Sequence, residues 1–280
     1  MTHHIPASTF TTPPISSIAT GWHNPWLVAA MAEHGEFHFN DGERYQDAYA
    51  VASHHDHLLL VVADGMSRSP LSHIGARLAV QTAVASLKSD LSDDLPDTTV
   101  IRRAFEEAHH AIQRRAAEDA NPSDHYASTL AVAVVSHNHI AGGAIGDSSI
   151  VVHTQTGTAK RSTLAPFVTG RTALHGTLSV SENYWSDALS MRVARYPAVK
   201  SVVVASDGGN SFFANGPSVE GSLKLNPEVL DAMPDLIAAD GPRGLVLHLA
   251  TYLANFPATN FDDRTILVAT RPDRPLSIPG

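Results

Sequence analysis

Cysteine is absent from the 280-residue chain. That single absence excludes disulfides, cysteine nucleophiles and thiolate zinc sites, and it fits a reducing compartment. Basic residues are scarce: 19 Lys and Arg face 28 Asp and Glu, for a formal net charge of −9. A generic nucleic-acid binder needs a basic surface, so this balance argues against one. Long apolar runs are missing as well, none approaching the about 20 residues a membrane-spanning helix requires. The opening Met1-Thr2-His3-His4-Ile5-Pro6 has neither the basic nor the apolar region of a signal peptide. The expectation is a cytoplasmic protein with no membrane or nucleic-acid partner. Its 17 His make its charge rise as pH falls through the imidazole range.

What is present centres on Leu58-Leu59-Leu60-Val61-Val62-Ala63-Asp64-Gly65. A continuous aliphatic run bounded by Asp-Gly reads as a strand buried on both faces that ends in a carboxylate and a turn. An acid held at the tip of a rigid buried strand is well placed to ligate a metal. The construction recurs at Val202-Val203-Val204-Ala205-Ser206-Asp207-Gly208-Gly209.

Along the chain, residues 1–20 are rich in Thr, Ser and Pro and read as a flexible arm. A first strand is expected around Leu27–Met31. Asp47–Val51 and Leu58–Ala63 form a hairpin through the His54-His55-Asp56-His57 turn, whose histidines read as solvated rather than metal-bound. Residues 73–88 and about 97–118 show helical spacing, the second with alternating Arg and Glu on a solvated face. Strands follow at Thr129–Val135, Ile140–Ile145 and Ile150–Thr154. The Gly/Thr-rich stretch from Gly157 to about Tyr196 is too long for an ordinary loop and reads as partly structured. Helices are expected near 227–239 and 244–256, then a closing strand Ile266–Thr270 and a Pro-rich tail, 273–280. Connections in the middle block are too short for parallel crossovers, so the fold class is α+β with largely antiparallel sheets. Residues 21–272 read as one domain.

Five acids stand at strand ends or in flanking turns: Asp47, Asp64, Asp147, Asp207 and Asp262. Singly, each is an unremarkable turn residue. Brought together they would repel strongly in a low-dielectric pocket, and such a cluster calls for cations. Oxygen donors without thiolates suit Mg²⁺ or Mn²⁺.

In chain order these segments are Gln46-Asp47-Ala48, Val62-Ala63-Asp64-Gly65-Met66, Ala127-Ser128-Thr129, Gly146-Asp147-Ser148, Ala205-Ser206-Asp207-Gly208 and Asp262-Asp263-Arg264-Thr265. The sequence resembles the metal-dependent protein phosphatases, the type 2C serine/threonine phosphatases, in a bacterial style, over about residues 40–270. The resemblance implies two packed antiparallel β-sheets flanked by helices, with two metals in a cleft at one end. It implies that Asp64 bridges both ions, one of which takes the Gly65 carbonyl. Asp207 and Asp262 bind the other, and Asp47 holds a metal-bound water. Asp147, with Asp207, matches a more weakly held third-metal site. The implied reaction is hydrolysis of phosphoserine and phosphothreonine by a metal-bridging hydroxide. The implied partners are a phosphorylated protein substrate and a cognate serine/threonine kinase, and segment 157–196 falls where the family carries a flap.

The chain departs from the family pattern where substrate phosphate is gripped. Gly42 stands where the family often has an arginine, and Ser67-Arg68-Ser69-Pro70 replaces Gly-Gly-His after Met66. Arg44 and Arg68 are the candidates to bind substrate phosphate instead. A phosphatase-like binding or regulatory module without turnover is the alternative from another class, and a purely structural domain is the third.

Overall fold

The computed structural model describes residues 16–23, 25–35, 44–92, 96–137, 139–154, 160–165, 178, 182–196, 199–210, 214–217, 223–225, 244, 247–248, 251 and 262–271. The first strands are β1 (Ser16–His23), β2 (Trp26–Glu33), β3 (Ala48–His54) and β4 (His57–Ala63). Two long helices follow, α1 (Ser72–Asp90) and α2 (Thr98–Glu118), then a 3₁₀ turn at Ser123–Tyr126. Strands β5 (Leu130–Val135), β6 (His139–Ile145), β7 (Ser149–Thr154) and β8 (Lys160–Ala165) come next. After them lie α3 (Glu182–Ala188), β9 (Ser190–Arg195), β10 (Val199–Ala205) and the single-turn α4 (Asp207–Asn210). The short pair β11 (Ala214–Pro217) and β12 (Leu223–Leu225) precedes β13 (Arg264–Thr270).

One sheet has the order β1-β2-β13-β10-β7-β8 and the other β3-β4-β5-β6-β9. Every pairing within them is antiparallel, as the short connections predict. The β4 run explains the layering. Because side chains alternate along a strand, Leu58, Leu60 and Val62 point between the sheets with Val28, Val202, Val204 and Leu267. Leu59, Val61 and Ala63 point the other way and pack on α1 and α2 through Val80, Phe105 and Ile112. Both faces are covered, so nothing in the run is polar until the strand ends.

The helices begin where the sequence indicates. Asp97 caps α2 by accepting from the backbone N–H groups of Thr99 and Val100. Helix α1 rides close over the 3₁₀ turn. A Cβ at Gly75 would stand 2.0 Å from the Tyr126 carbonyl oxygen, so only glycine permits this approach.

The flexible arm expected over residues 1–20 does not extend over 16–20, since β1 starts at Ser16 and pairs along its whole length with β2. Its ladder bonds are made by backbone groups, which composition does not report, and they run to the pair His23 and Trp26. The 157–196 stretch contains β8, α3 and β9, in keeping with a partly structured segment. Residues 1–15, the expected helix at 227–239 and the tail 273–280 lie outside the described residues; of 244–256, residues 244, 247, 248 and 251 are helical. No helix among the described residues is long and apolar enough to cross a membrane.

Candidate metal centre

Antiparallel register decides which strand ends meet. Ala63 at the end of β4 lies opposite Ala48 at the start of β3, and Leu130 opposite Ile145. In the other sheet Ala205, ending β10, lies between Ser149 and Ile266. The segments carrying Asp47, Asp64, Asp147, Asp207 and Asp262 therefore leave the sandwich at one end. Period two also puts Asp64 on the face of Leu60 and Val62, toward the other sheet.

Carboxylate oxygens of Asp64, Asp147 and Asp207 lie within 4.8 Å of one another. Among the described residues this is the one such group of metal-ligating side chains. Burial pushes Asp64 well above the ordinary carboxylate range, reinforced by the charges of Asp47, Asp207, Asp262 and Asp147. Burial with Asp147 and Asp262 raises Asp207 to about 7, against a hydrogen bond shared with Asp64. Asp147 is raised by burial and by Asp262. Asp47 is raised well above its usual range by burial, then by Asp263. Neither Asp47 oxygen has a well-formed hydrogen bond. The neighbouring Thr265 and Ser206 hydroxyls oppose the shift of Asp47; Ser206 Oγ accepts from the Thr265 N–H and keeps its own proton to donate. A buried carboxylate without a well-formed hydrogen bond beside a carboxylate trio, all hard oxygen donors, fits divalent cations.

Further residues build this end without advertising themselves in the sequence. Thr129 Oγ1 accepts from Asp64 N at 2.9 Å and bonds Ser148 Oγ at 3.0 Å, tying the Asp64 strand to the Asp147 turn. Gly146 makes that turn at φ 92°. Asn210 donates to the Asp147 carbonyl at 3.3 Å and accepts from Ser149 Oγ, so α4 is fastened to the same turn. Asp263, one residue past Asp262, is buried and accepts from Gly35 N at 2.7 Å and Gln46 N at 2.6 Å. Its carboxylate thus positions the backbone next to Asp47. The doublet Asp262-Asp263 is the one signal of this second role. Asp263→Ala strands two buried N–H groups and is expected to cost roughly 2–5 kcal/mol, checked by denaturant unfolding. Stability within 1 kcal/mol of the parent, on the order of one ordinary hydrogen bond, would contradict that role.

A model of the protein phosphatase 2C family matches residues 34–253. The chain belongs to that family. Solved structures share its fold at low identity. The serine-threonine phosphatase 2C of Toxoplasma gondii is 16% identical with a TM-score of 0.58, over 92% of this chain and 100% of that one. The catalytic domain of the serine threonine protein phosphatase PstP, solved with two manganese ions, is 17% identical at 0.59, over 89% and 99%. RsbX, solved with magnesium, is 12% identical at 0.53, over 91% and 100%. No curated protein sequence matches the chain.

Against this family the remaining expected residues can be placed. Gly65 lies in a tight spot, where a Cβ would stand 2.8 Å from the Gln46 carbonyl oxygen and 2.9 Å from Ser72. Arg68 is exposed in the turn after Met66. Arg44 is also exposed, with its Nη1 3.1 Å from His73 Nε2. Gly42 lies outside the described residues. The histidines of the β3–β4 turn sit at the opposite end of the sheet from the acids. There His57 is buried and bonds Ser136 Oγ at 2.7 Å and the Ser92 carbonyl at 3.0 Å, a structural tie.

Proposed function

We propose that this protein phosphatase 2C family member is a phosphoserine/phosphothreonine hydrolase that works with two divalent cations, Mg²⁺ or Mn²⁺. The carrying observation is the convergence of Asp64, Asp147 and Asp207 oxygens within 4.8 Å of one another, delivered from three separate segments. Asp64, the Gly65 carbonyl, Asp207 and Asp262 are the proposed ligands, and Asp147 with Asp207 would serve a third, weaker position. Bound cations would polarise the phosphoryl oxygens and lower the pKa of a water for in-line attack on phosphorus. Asp47, buried and without a well-formed hydrogen bond at either carboxylate oxygen, would orient that water and take up its proton. Arg68 would contact oxygens of the phosphate being removed, and Arg44, with its Nη1 3.1 Å from His73 Nε2, would meet the substrate beside it. Asp263, Thr129 and Asn210 hold the ligand-bearing segments so that little rearranges during turnover.

A kinase that phosphorylates the same protein, and residence in the cytoplasm, accompany this proposal. The test is hydrolysis of a phosphoserine peptide with Mn²⁺, with and without chelator. Hydrolysis should require the metal and return when Mn²⁺ is restored. Activity that survives chelation would sink the proposal. The Ser67–Pro70 replacement favours one second reading, a metal-binding module without turnover. Calorimetric Mn²⁺ binding without hydrolysis of any phosphopeptide would select it.

A further inference from the structure

Outside the carboxylate cluster, a second charged constellation flanks the same end of the sandwich. His73 and Arg77 are one helical turn apart on α1, so they share a face. Arg44, from the segment leading to Asp47, reaches this face with Nη1 3.1 Å from His73 Nε2. A guanidinium only donates, so His73 Nε2 is the acceptor and the ring carries its proton on Nδ1. His73 is buried. Burial, then Arg44 and Arg77, holds its pKa below the usual imidazole range, which keeps the ring neutral and able to accept. Arg77 is half-buried, and its pKa is lowered by burial and by Arg44. The Arg44 charge thus disfavours the charged form of Arg77.

Among the described residues, no carboxylate pairs with either arginine. Neither arginine makes an ion pair with the acids of the carboxylate cluster among the described residues. The pair is nevertheless next door: Gln46 and Ser72 both abut Gly65. Helix α1 begins beside it with no side-chain cap and no acid in its first turn, so its positive end adds to the potential. Two like charges held together, one of them partly desolvated, are costly unless an anion joins them. A forked oxyanion is what two guanidinium groups recognise.

We propose that Arg44 and Arg77 form a subsite for a second oxyanion on the phosphoprotein, a carboxylate or phosphate flanking the residue being dephosphorylated, with His73 as the residue that positions Arg44. The proposal rests on the phosphatase assignment above and extends it to substrate choice. It makes the protein selective for phosphoserine or phosphothreonine in acidic or multiply phosphorylated sequence.

The experiment compares three phosphoserine peptides of otherwise identical sequence on the Mn²⁺-loaded protein: one with neutral flanks, one with Glu flanks and one with a second phosphoserine. The parent protein should favour the anionic peptides in kcat/KM by roughly tenfold. Arg77→Ala should collapse that ratio toward one, and Arg77→Lys should retain part of it. His73→Leu, which removes the acceptor for Arg44, should lower the same ratio, a readout that a merely structural role leaves unmoved. Arg77 is on a helix face and only half-buried, and a thermal melt verifies that its variants fold. Preference for the Glu peptide equal to that for the second phosphate identifies a general oxyanion subsite; a stronger response to phosphate identifies a phosphate one. Indifference of the parent protein to flanking charge, or a preference unchanged in Arg77→Ala, overturns the proposal. If no peptide is hydrolysed, the phosphatase assignment fails by itself. Calorimetric binding of the same peptides then decides the subsite: tighter binding of the anionic peptides, lost in Arg77→Ala, supports it, and equal binding overturns it.

Discussion

Asp64→Asn is expected to abolish Mn²⁺-dependent phosphopeptide hydrolysis while raising the melting temperature of the metal-free protein. Asp64 is buried and its carboxylate is opposed by the charges of Asp47, Asp207, Asp262 and Asp147. Two bonds that hold its segment belong to the backbone: its N–H donates to Thr129 Oγ1 at 2.9 Å, and its carbonyl accepts from Thr129 N at 2.8 Å. An isosteric amide keeps those and removes the charge. Loss of a central ligand should lower kcat/KM by roughly 10³-fold or more, as with other groups that stabilise charge in the transition state. Relief of repulsion should stabilise the metal-free fold by about 1–3 kcal/mol, since an unpaired buried charge is expensive. Phosphopeptide kinetics and melting in chelator check the two halves. Hydrolysis near that of the parent protein would remove Asp64 from the metal centre. A fall in metal-free melting temperature would mean that its carboxylate serves the fold.

Metal-free stability should decline as pH rises from about 4 to above 7, and Mn²⁺ should erase the decline. Asp47, Asp64, Asp147 and Asp207 all have folded-state pKa values raised above those of the free residue. For an acid raised in this way, the folded state holds its proton after the unfolded state has lost it. Its contribution is complete below the unfolded pKa, about 3.9 for Asp, and is lost as pH climbs through the folded value. For Asp207 that value is about 7, and the loss at high pH is on the order of 4 kcal/mol. Cations bind the ionised form and release its protons, so they stabilise increasingly as pH rises. Melting curves between pH 5 and 8, with Mn²⁺ and with chelator, should diverge toward high pH. Parallel curves would show that these carboxylates neither repel in the fold nor bind the ion.

Much of the scaffold was legible from local pattern. The Leu58–Ala63 run declared a doubly covered strand, and its alternate residues do face helices on one side and the second sheet on the other. The apolar spacing of 73–88 and the Asp97-Thr98-Thr99 start located α1 and α2 to within two residues. These signals are local, because side-chain period and capping depend on neighbours in sequence. Strand β1 escaped notice because a backbone ladder leaves no mark in Thr- and Ser-rich composition. The positioning roles of Asp263, Thr129 and Asn210 escaped it too, since their partners are distant in the chain, Asp263 reaching Gln46 across 217 positions.

The sequence by itself determined the donor chemistry. Aspartates placed at strand ends, with no cysteine, admit a hard cation and exclude thiolate sites. It also determined the strands that carry those acids, because an uninterrupted aliphatic run is stable only when buried on both faces. Only the tertiary structure decided that Asp64, Asp147 and Asp207 meet within 4.8 Å, that the turn histidines stand at the far end, and that Arg44 comes to rest beside His73 and Arg77. Those outcomes depend on antiparallel register between strands far apart in the chain. Register is set by how whole faces pack, so a single segment does not encode it.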